Sequence, residues 1–149
     1  MNGEARSLEL KAAWTWVPVE DSGEQVTFPV GASDSLRARW TRPALYRWVI
    51  VSGNKVQAVH IGEAEDLAGR IYQYSNPGAG NQAAARIKKA FTDHLFRGDE
   101  IRLEVCQLQS FIVDGRAVDD AGLRDAALRR ALEHLITYEA RLSGTRILT

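Results

Sequence analysis

Hydrophobic and polar residues alternate along residues 8–19, where Leu8, Leu10, Ala12, Trp14 and Trp16 share one parity. A period of two places such residues on one face of a strand. Asp21-Ser22-Gly23 is a turn signal and residues 25–30 form another β-prone run, so the pattern predicts an N-terminal hairpin. Ala32–Pro43 reads as a polar link carrying Arg37, Arg39 and Arg42, with Pro43 at the entry to the next strand. Tyr46–Val51 and Val56–Ile61 are β-branched and aromatic. Ser52-Gly53-Asn54-Lys55 supplies the turn between them, because Gly and Asn tolerate positive φ.

Gly62 ends the return strand, and the period then lengthens. Glu65–Tyr74 is predicted helical, with Glu65 and Asp66 suiting the positive end of the helix dipole. Ser75-Asn76-Pro77-Gly78 breaks it. Gln82–Phe96 is a second helix with Ala85, Ile87, Ala90, Phe91 and Leu95 on its apolar face and Gly98 as a C′ residue. Ile101–Leu108 alternates as a strand, and Phe111–Val118 reads as a loop. Asp119 or Asp120 caps a long third helix that runs to about Leu142 and ends at Ser143-Gly144. Its predicted buried stripe is Leu128, Leu132, Leu135, Ile136 and Leu142. The order is β-β, then β-β-α-α-β-α, an α/β chain of the α+β type. No internal repeat and no low-complexity segment interrupts it.

Composition narrows the function classes. At 149 residues, 45% hydrophobic and 26% charged, the chain suits one globular domain with a real core. Lys+Arg and Asp+Glu are both 19, so no global basic field argues for nucleic acid, and only a local patch can. Cys106 is the single cysteine and sits in an apolar run, which suits a buried thiol, no disulfide framework and a cytoplasmic setting. The first residues lack the apolar core of a signal peptide, and no stretch has the length a membrane span needs.

The candidate chemistry lies in and after the central hairpin. Cleaving a phosphodiester requires water activation, charge on the phosphoryl oxygens and help for the leaving oxygen. Arg70 offers a planar fork that matches phosphate, or it is a solvated helix arginine paired with Asp66. Tyr46 and His60 fall near the start and end of paired strands and become neighbours in a tight hairpin. Tyr46 needs a nearby cation or metal to act as a base, whereas His60 titrates near neutrality, or is an ordinary hydrogen-bonded strand histidine. Tyr74 follows Arg70 by one helical turn and shares its face. On the third helix Glu133 lies at the edge of the buried stripe and Glu139 points into it, and an edge carboxylate can hold magnesium with open coordination. Arg37, Arg39, Arg42 and Arg47, then Arg86, Lys88 and Lys89, then Arg129 and Arg130 form local basic clusters that read singly as solvated faces. His94 reads as favourable charge at a helix end.

Ala44-Leu45-Tyr46, His60-Ile61-Gly62 and the helix opening GEAEDLAGRIYQY together resemble the GIY-YIG nuclease domain family, named for Gly-Ile-Tyr and Tyr-Ile-Gly on successive strands. Gly62, Asp66, Leu67, Arg70 and Tyr74 match its helix pattern, and AALRRALEHLITY resembles its glutamate helix, with Glu133 as the ligand. The resemblance covers residues 42–149 and leaves 1–41 as a hairpin extension and link. It implies a three-stranded antiparallel sheet flanked by helices. It also implies one Mg2+ or Mn2+ ion on Glu133, Tyr46 as general base or water-positioning group, Arg70 on the scissile phosphate, and His60 in the second tyrosine's place. The chain departs from the family at Ala44, at His60, in a slightly longer spacing between the two motifs, and at Thr145, where an asparagine is often found. Glu139 therefore stays beside Glu133 as a possible ligand.

The expected function is that of a metal-dependent endonuclease acting on DNA, branched or damaged DNA included. The N-terminal hairpin, the 75–82 loop and the 109–118 loop are then the candidate sources of specificity. The alternative is a catalytically weak or inactive module of the same fold that binds nucleic acid or a protein. In the protein-binding case Trp14, Trp16 and Trp40 are anchors, or else an aromatic mini-core under the hairpin.

Overall fold

The computed structural model describes residue 3 and residues 5–17, 24–30 and 34–149. The predicted turn at Asp21-Ser22-Gly23 lies outside these. The described residues form an α+β fold of five strands and four α-helices around one antiparallel sheet. The strands are β1 (Leu8–Trp16), β2 (Ala44–Ser52), β3 (Lys55–Ala64), β4 (Glu100–Val113) and the short β5 (Arg116–Ala117). The helices are α1 (Asp34–Trp40), α2 (Leu67–Ser75), α3 (Gln82–Phe96) and α4 (Ala126–Leu142). The sheet order is β1-β4-β2-β3, with β5 added to β4.

The central hairpin forms as its sequence directs. β2 and β3 pair antiparallel, Ser52 opposite Lys55, and Gly53 takes a φ of 62° in the turn. Both strands extend a few residues beyond the apolar runs that predict them. β4 joins the other side of β2, so β4, β2 and β3 make the expected three-stranded core.

The N-terminal hairpin is corrected. β1 pairs along its whole length with β4, and residues 25–30 meet the same strand through a bridge between Thr27 and Arg102. Among the described residues one backbone hydrogen bond, from Val26 N–H to the Val17 carbonyl, links the two N-terminal runs directly. Nor is 109–118 a loop. A bulge opposite Lys11 and Ala12 skips Gln109, and β4 continues to Val113 before turning into β5. The bulge switches the inward parity, so Cys106 and Leu108 before it and Phe111 after it all serve one face. The polar link carries helix α1 over Asp34–Trp40.

Helices cover both faces. On one, α2 and α3 pack Leu67, Ile71, Tyr74, Ile87 and Phe91 against Tyr46, Trp48, Ile50, Leu103 and Val105. On the other, α4 packs Leu132, Ile136 and Ala140 against Leu45, Val49, Val59 and Ile61. Cys106 is buried in this second core, as expected. The third helix starts later than predicted. Asp119 caps a 3-10 turn over Asp120–Arg124, and Asp125 then caps α4 by accepting from Leu128 N–H. Its predicted stripe is corrected too: Leu135 and Leu142 are 40% and 71% exposed, and the sheet-facing line is Arg129, Leu132, Ile136 and Ala140. No helix among the described residues is long and apolar enough to cross a membrane.

Candidate active site

β3 is the sheet's edge strand, and at its C-terminal end the two helical layers meet across Gly62. There a cleft of about 350 Å³ is lined by Tyr46, His60, Gly62, Arg70, Tyr74 and Glu133. All five side chains expected to carry the chemistry therefore converge. Glu63, Gln73 and Asn81 complete its polar wall.

Register explains the first pair. Tyr46 lies opposite Gly62, and Trp48 opposite His60, so Tyr46 and His60 are diagonal neighbours on one face of the hairpin. Gly62 leaves room for the phenol. A Cβ built there would come within 2.5 Å of Tyr46 Cζ, and Tyr46 is fully buried with nowhere to retreat. The next helix then aims Tyr74 inward. Its hydroxyl lies 2.5 Å from that of Tyr46 and 3.0 Å from His60 Nε2, while His60 Nδ1 lies 2.9 Å from the Leu148 carbonyl.

Burial dominates the acid–base character of these groups. It pushes both phenols up, Tyr46 well above the usual tyrosine range, with the neighbouring Tyr74 adding to the effect there and Arg70 opposing it. Burial pulls His60 down, and the Leu148 carbonyl partly restores it by accepting from the imidazole. His60 is thus held neutral at pH 7.

Arg70 is exposed at the mouth of the cleft and makes no ion pair among the described residues. Asp66, its expected partner four residues back, instead caps α2 by accepting from Gly69 N–H at 3.2 Å. The guanidinium is left for an incoming anion.

From the other layer comes Glu133, half-buried and one turn beyond Arg129. Burial pushes its carboxyl up and the nearby Glu63 adds to this, while His134, Arg70 and Arg130 act against it. Glu139 is exposed, accepts from Ser143 Oγ and does not line the cleft, so its predicted place in the buried stripe is corrected, while Glu133 lies at the edge as expected. Among the described residues no group of three or more His, Cys, Asp or Glu side chains gathers as a metal cage. One carboxylate in an electron-rich, water-accessible cleft still fits a hard cation that keeps most of its water shell, as magnesium does.

Beside this cleft, Glu63 went unread in the sequence and Arg129 was read as part of a solvated face. Arg129 is buried, and its Nε donates to Glu63 at 2.7 Å while Nη1 donates to the carbonyls of Leu123 and Arg124. It is no part of a solvated basic face. The signal was available, because Arg129 stands three residues before Leu132 on the line that continues through Ile136. Arg47 is likewise committed, bonded to Glu104 at 2.7 Å and stacked over Trp14. Trp40 is half-buried beneath Arg42, so neither it nor Trp14 is a bare anchor, and the Trp16 side chain lies outside the described residues. His94 is buried against Asp99, 2.8 Å from its carboxylate, a pairing rather than a free charge at a helix end. Comparisons of the chain with protein-family models, curated proteins and solved structures give no match.

Proposed function

We propose that the protein is a metal-dependent endonuclease that hydrolyses DNA phosphodiesters, of the GIY-YIG type its motifs resemble. The observation that carries the reading is the convergence of Tyr46, His60, Arg70, Tyr74 and Glu133, drawn from two strands and two helical layers, on one cleft. Side chains far apart in sequence thus present a cation, a carboxylate and a phenol to the same open cleft.

The roles follow from position. Arg70, exposed and without a carboxylate partner, takes the scissile phosphate and stabilises the charge that grows on its oxygens. Glu133 would hold a magnesium or manganese ion, which supplies Lewis-acid charge and lowers the pKa of water. The Tyr46 oxygen faces that water from the floor of the cleft. Gln73 and Asn81 offer polar contacts to the backbone on either side, and the 75–82 loop that carries Asn81 borders the cleft as a candidate source of specificity.

Plasmid nicking with magnesium tests the reading. Wild type nicks, whereas Arg70→Ala and Glu133→Ala each lose about 100-fold or more in rate, the usual cost of removing a charge-stabilising group. Equal cleavage by all three proteins overturns the site assignment. Salt-dependent DNA binding with no cleavage by wild type selects the alternative, a binding module on the same fold.

A further inference from the structure

Tyr46 poses a problem for the proposed reaction, on which this inference rests. A phenol as deeply buried as this resists becoming a tyrosinate. The hydrogen bonds behind it supply an answer, because with His60 neutral each has only one consistent direction. The Leu148 carbonyl can only accept, so His60 Nδ1 carries a hydrogen and donates to it. In the neutral imidazole Nε2 is then a bare acceptor, and the Tyr74 hydroxyl must donate to it. Tyr74 has spent its single hydrogen, so its oxygen accepts from Tyr46. The Tyr46 hydrogen therefore points into the protein, and the lone pairs of its oxygen face the cleft.

We infer that Tyr46, Tyr74 and His60 form a proton relay, in which His60 takes up the proton released when Tyr46 deprotonates the cleft water. The transfers balance. A water O–H bond breaks and its proton joins Tyr46 oxygen. The original Tyr46 proton passes to Tyr74, and the Tyr74 proton passes to His60 Nε2. The hydroxide oxygen bonds to phosphorus as the P–O bond to the leaving oxygen breaks, and that oxygen carries off the electron pair and is protonated by solvent. After product departs, His60 returns its proton to solvent along the same chain. Neither phenol becomes an anion at any stage. The imidazolium that forms has an acceptor for each N–H, Leu148 carbonyl and Tyr74 oxygen.

The surroundings bear on that imidazolium from every side. Arg70 on α2 opposes it. Glu63 on its own strand and Glu133 on α4 favour it. Tyr46 and Tyr74 face it from β2 and α2, and α3 contributes only the Phe91 ring, with centroids 6.3 Å apart. His60 is thus a positioning residue and proton acceptor that acts through Tyr74, rather than a group beside the water.

Nitrogen NMR of histidine-labelled protein tests the direction without any activity. The expected spectrum shows His60 as the neutral Nδ1–H form at pH 7, identified by its loss in His60→Gln. An Nε2–H form overturns the relay. In nicking assays Tyr74→Phe and His60→Gln, both checked for folding, each lose about 100-fold in cleavage rate with DNA affinity kept. The wild-type rate rises with pH through the His60 titration, and this limb is absent from His60→Gln. Unchanged rates and profiles in both variants also overturn the relay. A wild type that never cleaves sinks the nuclease reading instead, and the imidazole spectrum then decides the direction of the chain by itself.

Discussion

Gly62 shows how one missing side chain sets a site. The positions before and after it, Ile61 and Glu63, carry side chains on the other face of β3, so only Gly62 lies beneath the Tyr46 ring. Gly62→Ala would drive a methyl group into a fully buried aromatic that is fixed by Tyr74 and by the strand itself. Overpacking of this kind costs about 1–3 kcal/mol. The urea midpoint of Gly62→Ala is therefore expected to fall, with the near-UV circular dichroism of the tyrosines altered. A midpoint equal to wild type would show that the ring moves freely. At this scale much was legible. Tyr46, His60, Arg70 and Tyr74 are all polar or aromatic residues at positions that strand and helix periods bring together. Glu63 and Arg129 were not, because a charged residue in a helix or strand reads as solvated until its partner across the fold is known.

Between elements, the Arg129–Glu63 pair ties α4 to β3 and sets the rotation of the helix. With Arg129 facing the sheet, Glu133 one turn later arrives at the cleft rim, while Leu135 and Leu142 turn outward. Breaking such a buried pair by removing one partner costs about 3–5 kcal/mol, since the other charge is left uncompensated. Arg129→Met is thus expected to destabilise strongly in chemical denaturation. Arg129→Met combined with Glu63→Gln should recover most of the loss. Additive losses would mean that the two side chains do not act as a pair. The elements most legible in sequence were those set by local chemistry. The Gly53-Asn54 turn and α3, from Gln82 to Phe96 with Gly98 beyond its end, lie where the residues place them. Those set by distant pairing were not legible. β1 alternates as a strand, yet nothing in its residues says that its partner is β4. The bulge at Gln109 also hid the second half of β4 by changing parity midway.

For the whole molecule, two cleft groups make stability depend on pH in opposite senses. Folded His60 titrates below its unfolded value near 6.5, so the unfolded chain binds more protons in that window and stability falls as pH drops from about 6.5. Folded Glu133 titrates above its ordinary value of 4.5, so the folded chain binds more protons there, and a burial penalty present at neutral pH is relieved as pH falls. In metal-free buffer, His60→Gln should flatten the loss of stability between pH 7 and 5, and Glu133→Gln should steepen it. Urea midpoints across this range check both. A steeper decline in His60→Gln contradicts the burial of a neutral imidazole.

The backbone of residues 146–148 has a kinetic consequence. Val59 N–H donates to the Arg146 carbonyl, Leu148 N–H donates to the Val59 carbonyl, and the Leu148 carbonyl receives His60. A short backbone segment laid on the sheet edge is thus the last support of an imidazole in the interior. Such peripheral segments open at a lower free-energy cost than the core does. Each opening would free His60 to change tautomer while the rest of the fold stays intact. If the proposed relay operates, the fraction of molecules competent at any instant would equal the fraction with this segment seated, and the cleavage rate would scale with that occupancy.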